Sequence, residues 1–144
     1  MMRDLIQIIE GLNEADLERR GRYDEMVTRL KQAADHGQFG NYMVPKVAGD
    51  GTVSQLSKAL EDAGMHVWVV RTFHLREDLD VTKFHGPVVV LLDVDGALSY
   101  EAARAIKIAI SDIGANKLPV TMLMVGQPSD ITDPGINSRF QTIG

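Results

Sequence analysis

Val88-Val89-Val90-Leu91-Leu92-Asp93 is a run of five apolar residues, three of them β-branched, that ends in a carboxylate. A strand with one wet face alternates apolar and polar positions. A run without alternation is what a strand covered on both faces requires, which places it inside a parallel sheet. Its terminal acid then falls at the carboxyl edge, where open α/β sheets gather ligands. Downstream, the spacing predicts a helix over 98–113 with Ala102, Ala105, Ile106, Ile108, Ala109 and Ile110 on its apolar face, then a strand over 120–125 opened by Pro119. Upstream, Gly64 closes a helix over 52–63, and a strand follows over 65–70, separated from the central run by a polar stretch. Before that helix comes a turn, Gly49-Asp50-Gly51-Thr52, with Thr52 in position to N-cap. A strand over 42–47 precedes the turn, and Pro45 marks it as an edge strand or an imperfect one. Alternating strands and helices of this kind predict an α/β fold with right-handed crossovers. The strands at 67–70, 88–92 and 120–125 are expected side by side, parallel and buried on both faces.

The first forty residues have a different pattern. Leu5, Ile8, Ile9 and Leu12 recur at helical spacing, as do Tyr23, Met26, Val27, Leu30 and Ala34. Asn13 or Asp16 caps a turn between the two helices on this reading, and Gly37 ends the second. The division expected is 1–40 as a helical pair and 41–144 as the α/β core. The pair either packs on the core or serves as a partner-binding arm. A chain of 144 residues with 44% hydrophobic and 24% charged residues is of ordinary globular make-up. No apolar run approaches the ~20 residues of a membrane span, and Met1-Met2-Arg3-Asp4 is unlike a signal peptide, so a soluble, cytoplasmic protein is expected. The absence of cysteine excludes disulfides and thiolate chemistry. A net charge of −5 argues against broad nucleic-acid binding, which needs concentrated Lys and Arg. The four histidines lack zinc-ligand spacing, and Trp68 among Val67, Val69 and Val70 reads as core.

Three further features share an order with the central run. Gln127 follows the strand over 120–125, the segment Asp133-Pro134-Gly135-Ile136-Asn137-Ser138-Arg139-Phe140 comes after it, and the Gly49–Thr52 turn sits between a strand and a helix. Taken together they resemble the AAA+ branch of the P-loop NTPases, in particular its MoxR-like, clamp-loader-like and transposition-helper-like members. The resemblance implies that Asp93 matches the Walker B aspartate beside Mg²⁺, Gln127 the sensor-1 residue, and Arg139 the finger that reaches a neighbouring subunit. Gly49, Gly51 and Thr52 would form the nucleotide-binding turn. The departures point to a degenerate Walker A and a pseudo-ATPase. The turn lacks the lysine that neutralises β/γ-phosphate charge, Asp50 would repel a phosphate, Val94 replaces the Walker B glutamate, and the sequence stops before a helical lid.

The same residues admit other readings. Val90-Leu91-Leu92-Asp93-Val94-Asp95-Gly96 resembles the first motif of HAD phosphohydrolases, in which Asp93 is the Mg²⁺-assisted nucleophile and Asp95 the general acid. Later partners for that chemistry would have to come from Lys117, Thr121, Asp130 or Asp133. A toprim-type use of the paired aspartates lacks an upstream glutamate at a strand end. In the plainest reading Asp93 or Asp95 only N-caps the next helix, and segment 137–140 is a turn with Phe140 in the core. The function expected is a non-catalytic AAA+-like adaptor, or an assembly or accessory protein of the kind mobile elements and phages encode. It would act through a protein partner or self-association, with weak or absent nucleotide binding and no cofactor beyond a possible Mg²⁺. The alternatives are a divergent HAD-like phosphohydrolase and a divergent nucleotide hydrolase.

Overall fold

A computed structural model of the chain describes residues 14–46, 51–75 and 79–142. Strands β1 (Asn41–Pro45), β2 (Val67–Arg71), β3 (Val88–Asp93), β4 (Val120–Gly126) and β5 (Gln141–Thr142) form one sheet in the order β2-β3-β4-β1-β5. Every pairing is parallel. Helices α1 (Glu14–Asp35), α2 (Thr52–Asp62), α3 (Tyr100–Asn116) and the single turn α4 (Pro134–Asn137) flank it. The fold is thus an all-parallel α/β sheet with helices on both faces, of the P-loop-NTPase-like kind. Among the described residues no helix is long and apolar enough to cross a membrane.

The unbroken apolar runs work as two-faced strands. In β3, Val89 and Leu91 face one layer while Val90 and Leu92 face the other, all at most 1% exposed. In β4 all seven residues are buried. One face packs Val44, Val89, Leu91, Leu123 and Val125 against Leu56 and Leu60 of α2 and Tyr23, Met26, Val27 and Leu30 of α1. The second face packs Val90, Leu92, Met122 and Met124 against Ala103, Ile106 and Ala109 of α3. Leu79 and Val81, in the connection between β2 and β3, complete that layer.

Several expectations need correction. Strand β2 is parallel and adjacent to β3, but it lies at the sheet edge and is not buried on both faces; Val69 is 42% exposed. Strand β1, conversely, is inside the sheet despite Pro45. It pairs with β4 along its whole length, and β5 pairs only with Tyr42 and Met43, so Pro45 lies beyond that ladder and its missing N–H breaks none of it. Ile108 is 39% exposed rather than in the core, whereas Ala103 takes a core position on α3. The first proposed helix and Asn13 lie outside the described residues, and Asp16 is inside α1 rather than at a turn. Helix α1 ends at Asp35, and the chain turns at Gly37 as expected.

Candidate functional site: a lysine held by the Asp93–Asp95 turn

Because all five strands are parallel, their carboxyl ends collect on one edge. Asp93 ends β3, Lys46 follows β1, and Gln127 follows β4. The Lys46 N–H donates to the Gly126 carbonyl at 3.0 Å and the Val94 N–H donates to Val125 at 2.9 Å, so the ladders run one residue past β1 and β3. Strands β1 and β3 are two positions apart, roughly 10 Å at ordinary strand spacing. The four-carbon stem of Lys46 crosses that gap over the end of β4. Its Nζ lies 2.7 Å from Asp93 Oδ1, 3.3 Å from the Val94 carbonyl and 3.4 Å from Asp95 Oδ1. An ammonium has three protons to donate and no acceptor. All three have partners here.

The Asp93–Asp95 turn is itself anchored. The hydroxyl of buried Thr72, just after β2, donates to the Asp93 carbonyl at 3.1 Å. A Cβ built on Gly126 would stand 2.8 Å from Val94 Cβ and 3.2 Å from Ile131 Cδ1, so only glycine lets β4 end against this turn. The side chains of Lys46 and Asp93 are 23% and 15% exposed, whereas that of Asp95 is 80% exposed. Burial works against the Lys46 ammonium. The hydrogen bond and charge of Asp93, helped by Asp95, outweigh it and hold the lysine above its ordinary value. A hollow of about 150 Å³ beside Asp95 is lined by Thr72, Phe73, Leu75, Ala97 and Ser99. That is smaller than the ~300 Å³ at which small-molecule pockets usually begin.

The other sequence-level candidates separate. Gly51 precedes α2 at φ 68° in the left-handed region, and Thr52 is the buried first residue of the helix rather than its cap. Gly49 lies outside the described residues. Neither Asp93 nor Asp95 caps α3, because Ser99 does so, accepting from the Ala102 N–H at 3.1 Å. Gln127 is exposed on the same edge as Asp93. Arg139 is exposed too, but it precedes β5 and so lies toward the amino-terminal side of that strand, away from Asp93. Its neighbour Phe140 is buried in the core, as the turn reading required. Thr121 is buried within β4, and Lys117 precedes that strand on the opposite edge. Asp133 caps α4 through the Gly135 and Ile136 N–H groups and accepts from Lys107 Nζ at 3.2 Å. The Lys107 hydrogen bond, opposed by partial desolvation and assisted by the two backbone bonds, holds the Asp133 carboxyl below its ordinary value.

Lys46, Thr72 and Gly126 are the site residues that motif reading missed. The P-loop pattern places its lysine at the helix end of the connection after β1, whereas Lys46 stands at the strand end. The available signal was position: a cation directly after one strand and a carboxylate at the end of another meet if both strands are parallel. As a metal site the cluster is poorly suited, since the less exposed carboxylate already has an ammonium on one oxygen. Among the described residues no group of three or more His, Asp or Glu side chains is placed to hold a metal ion.

No family model and no curated protein matches the sequence. Among solved structures, a variant of RuvB from Thermotoga maritima superposes with a TM-score of 0.62 at 17% identity, over 94% of this chain and 46% of that one. Trip13 from Rhizobiales superposes with a TM-score of 0.51 at 14% identity, over 92% of this chain and 66% of that one. The chain therefore spans less than half the length of the RuvB it matches, and the likeness is one of fold.

Proposed function

We propose that this domain is a non-catalytic, AAA+-like module that acts through protein contacts, as an adaptor or assembly component. In this reading its carboxyl edge is a structural remnant of a nucleotide site. One observation carries it: the Lys46 ammonium has a partner for each proton within the Asp93–Asp95 turn. A divalent ion at Asp93 would have to share the carboxylate with that ammonium against charge repulsion or displace it, and a phosphate seeking Lys46 would have to break its bonds to two carboxylates. Displacing the ammonium or breaking those bonds costs a charge-assisted hydrogen bond, the stronger kind. The connection after β1 brings no second lysine before Lys58, which lies within α2 and is exposed.

The fold likeness to RuvB and Trip13 supports an AAA+-like ancestry. For the phosphohydrolase alternative, Asp133 is engaged as a helix cap, and Thr121 and Lys117 lie away from the Asp93 edge, which leaves Asp130, in the turn after β4, as the one of those later candidates on that edge, with neither that threonine nor that lysine beside it. The test is phosphate release from ATP and from p-nitrophenyl phosphate in the presence of Mg²⁺. No turnover above the protein-free rate is expected. Mg²⁺-dependent release that disappears in Asp93→Asn would overturn the proposal and favour an enzyme.

A further inference from the structure

At the amino edge of the sheet, opposite the Lys46 cluster, two hollows lie side by side. One of about 490 Å³ is lined by Trp68, Lys83 and Phe84 among others, and one of about 260 Å³ by Lys31, Asp35 and Met65 among others. They share His66, Pro87 and Val88, so they form one trough that runs past the starts of β2 and β3. Its floor at one end is aromatic. The rings of Trp68 and Phe84 are 5.4 Å apart and tilted by 58°. Lys83 Nζ stands 4.1 Å from the Trp68 centroid and 5.4 Å from that of Phe84, so its charge is held over the aromatic pair by cation–π attraction. At the other end Lys31 Nζ donates to the Ala63 carbonyl at 2.7 Å, which fixes a second cation against the α2–β2 turn.

The chain carries a net charge of −5, yet among the described residues the trough is lined by two lysines against the single carboxylate of Asp35. We infer that this trough is a docking site for an acidic, apolar-anchored peptide segment of a partner protein. An apolar side chain of the segment rests on Pro87 and the part of the Trp68–Phe84 pair that Lys83 leaves uncovered, and flanking carboxylates meet Lys83 at one end and Lys31 at the other. Charge complementarity selects this occupant over a basic segment. Two lysines are too few to neutralise the closely spaced phosphates of a nucleic-acid strand, which disfavours that occupant. The inference goes beyond the role proposed for the carboxyl edge and does not depend on it, because the two sites lie at opposite ends of the strands.

Trp68 is the only tryptophan of the chain, so its emission reports on this trough alone. The intact protein is titrated with a short synthetic peptide that alternates Glu and Leu around a central Phe. Parallel titrations use the same peptide with Lys for Glu, and an oligothymidylate. A saturable change in emission with the acidic peptide only, weakened by added salt, is expected. Lys83→Glu and, independently, Lys31→Glu are each expected to weaken it by roughly tenfold or more. Because Lys83→Glu also alters the surroundings of Trp68, anisotropy of a labelled peptide gives the affinity of both variants, with circular dichroism to confirm folding. No response to the acidic peptide at about millimolar concentration, an equal response to the basic one, or preference for the oligothymidylate would each overturn the inference. So would unchanged affinity in both variants.

Discussion

The Lys46–Asp93 pair makes a quantitative prediction for a double-mutant cycle. At a charge separation of ~4 Å and an effective dielectric of ~20, the attraction is about 4 kcal/mol. Holding a lysine stem in one conformation costs up to ~2 kcal/mol, and the partial exposure of both side chains lowers the net value further. A coupling of about 1–3 kcal/mol results, between the ~0.2–1 kcal/mol of exposed pairs and the ~3–5 kcal/mol lost when one partner of a fully buried pair is removed. Lys46→Met, Asp93→Asn and the double variant are compared by urea unfolding, where a denaturant dependence of ~1–3 kcal/mol per molar turns this coupling into a midpoint shift of roughly 1 M. Each single variant is expected to cost more than its share of the double variant, because it strands one charge. Asp95→Asn is expected to cost little, since that side chain is 80% exposed and its oxygen lies at 3.4 Å. Single effects that sum to the double effect within ~0.3 kcal/mol would refute the idea that Lys46 and Asp93 neutralise each other.

Other consequences follow from single contacts. Gly126→Ala places a methyl group 2.8 Å from Val94 Cβ and is expected to cost about 1–3 kcal/mol by overpacking, whereas an unchanged melting temperature would show that the turn yields freely. Phe140→Ala is expected to cost roughly 3–5 kcal/mol, while Arg139→Ala, on an exposed side chain, stays within ~0.5 kcal/mol; a large loss in the arginine variant would make it an internal structural residue. Asp133 is depressed in the folded state, so its stabilisation is present above the ordinary carboxylate value of ~3.9 and is lost as pH falls through the lower folded value. Urea midpoints measured from neutral to acidic pH are therefore expected to fall more steeply below about pH 4 in the wild type than in Asp133→Asn, which retains an N-cap oxygen but not the charge. Parallel curves for the two proteins would contradict this.

The sheet was largely legible because its strands are extreme cases. The five-residue apolar run ending in Asp93 and the run from Val120 are covered on both faces, and the lack of alternation states that directly. Burial of Phe140 followed from a lone aromatic in a polar turn. Edge position was less legible. Strand β2 is as rich in Val and Trp as a central strand, and its exposure arises because its far side has no neighbour among the described strands. Pro45 suggested an edge, but whether a missing N–H matters depends on how far the next strand extends. The candidate site was half legible. Asp93 and Asp95 were marked by their strand end, but Lys46, forty-seven residues earlier, belongs to no motif and meets Asp93 only once the parallel order is formed. Trp68 does pack against the core, as its apolar neighbours imply, but the cation of Lys83 over its ring has no signature in sequence spacing.

The claim that Lys46 occupies the place of a nucleotide-bound metal is tested most directly by calorimetric titration of Mg-ATP into the wild-type protein. No binding heat is expected up to about millimolar nucleotide, because both carboxylates of the turn are already engaged by one ammonium. Micromolar affinity that is lost in Asp93→Ala would contradict it and restore the carboxyl edge as a working nucleotide site.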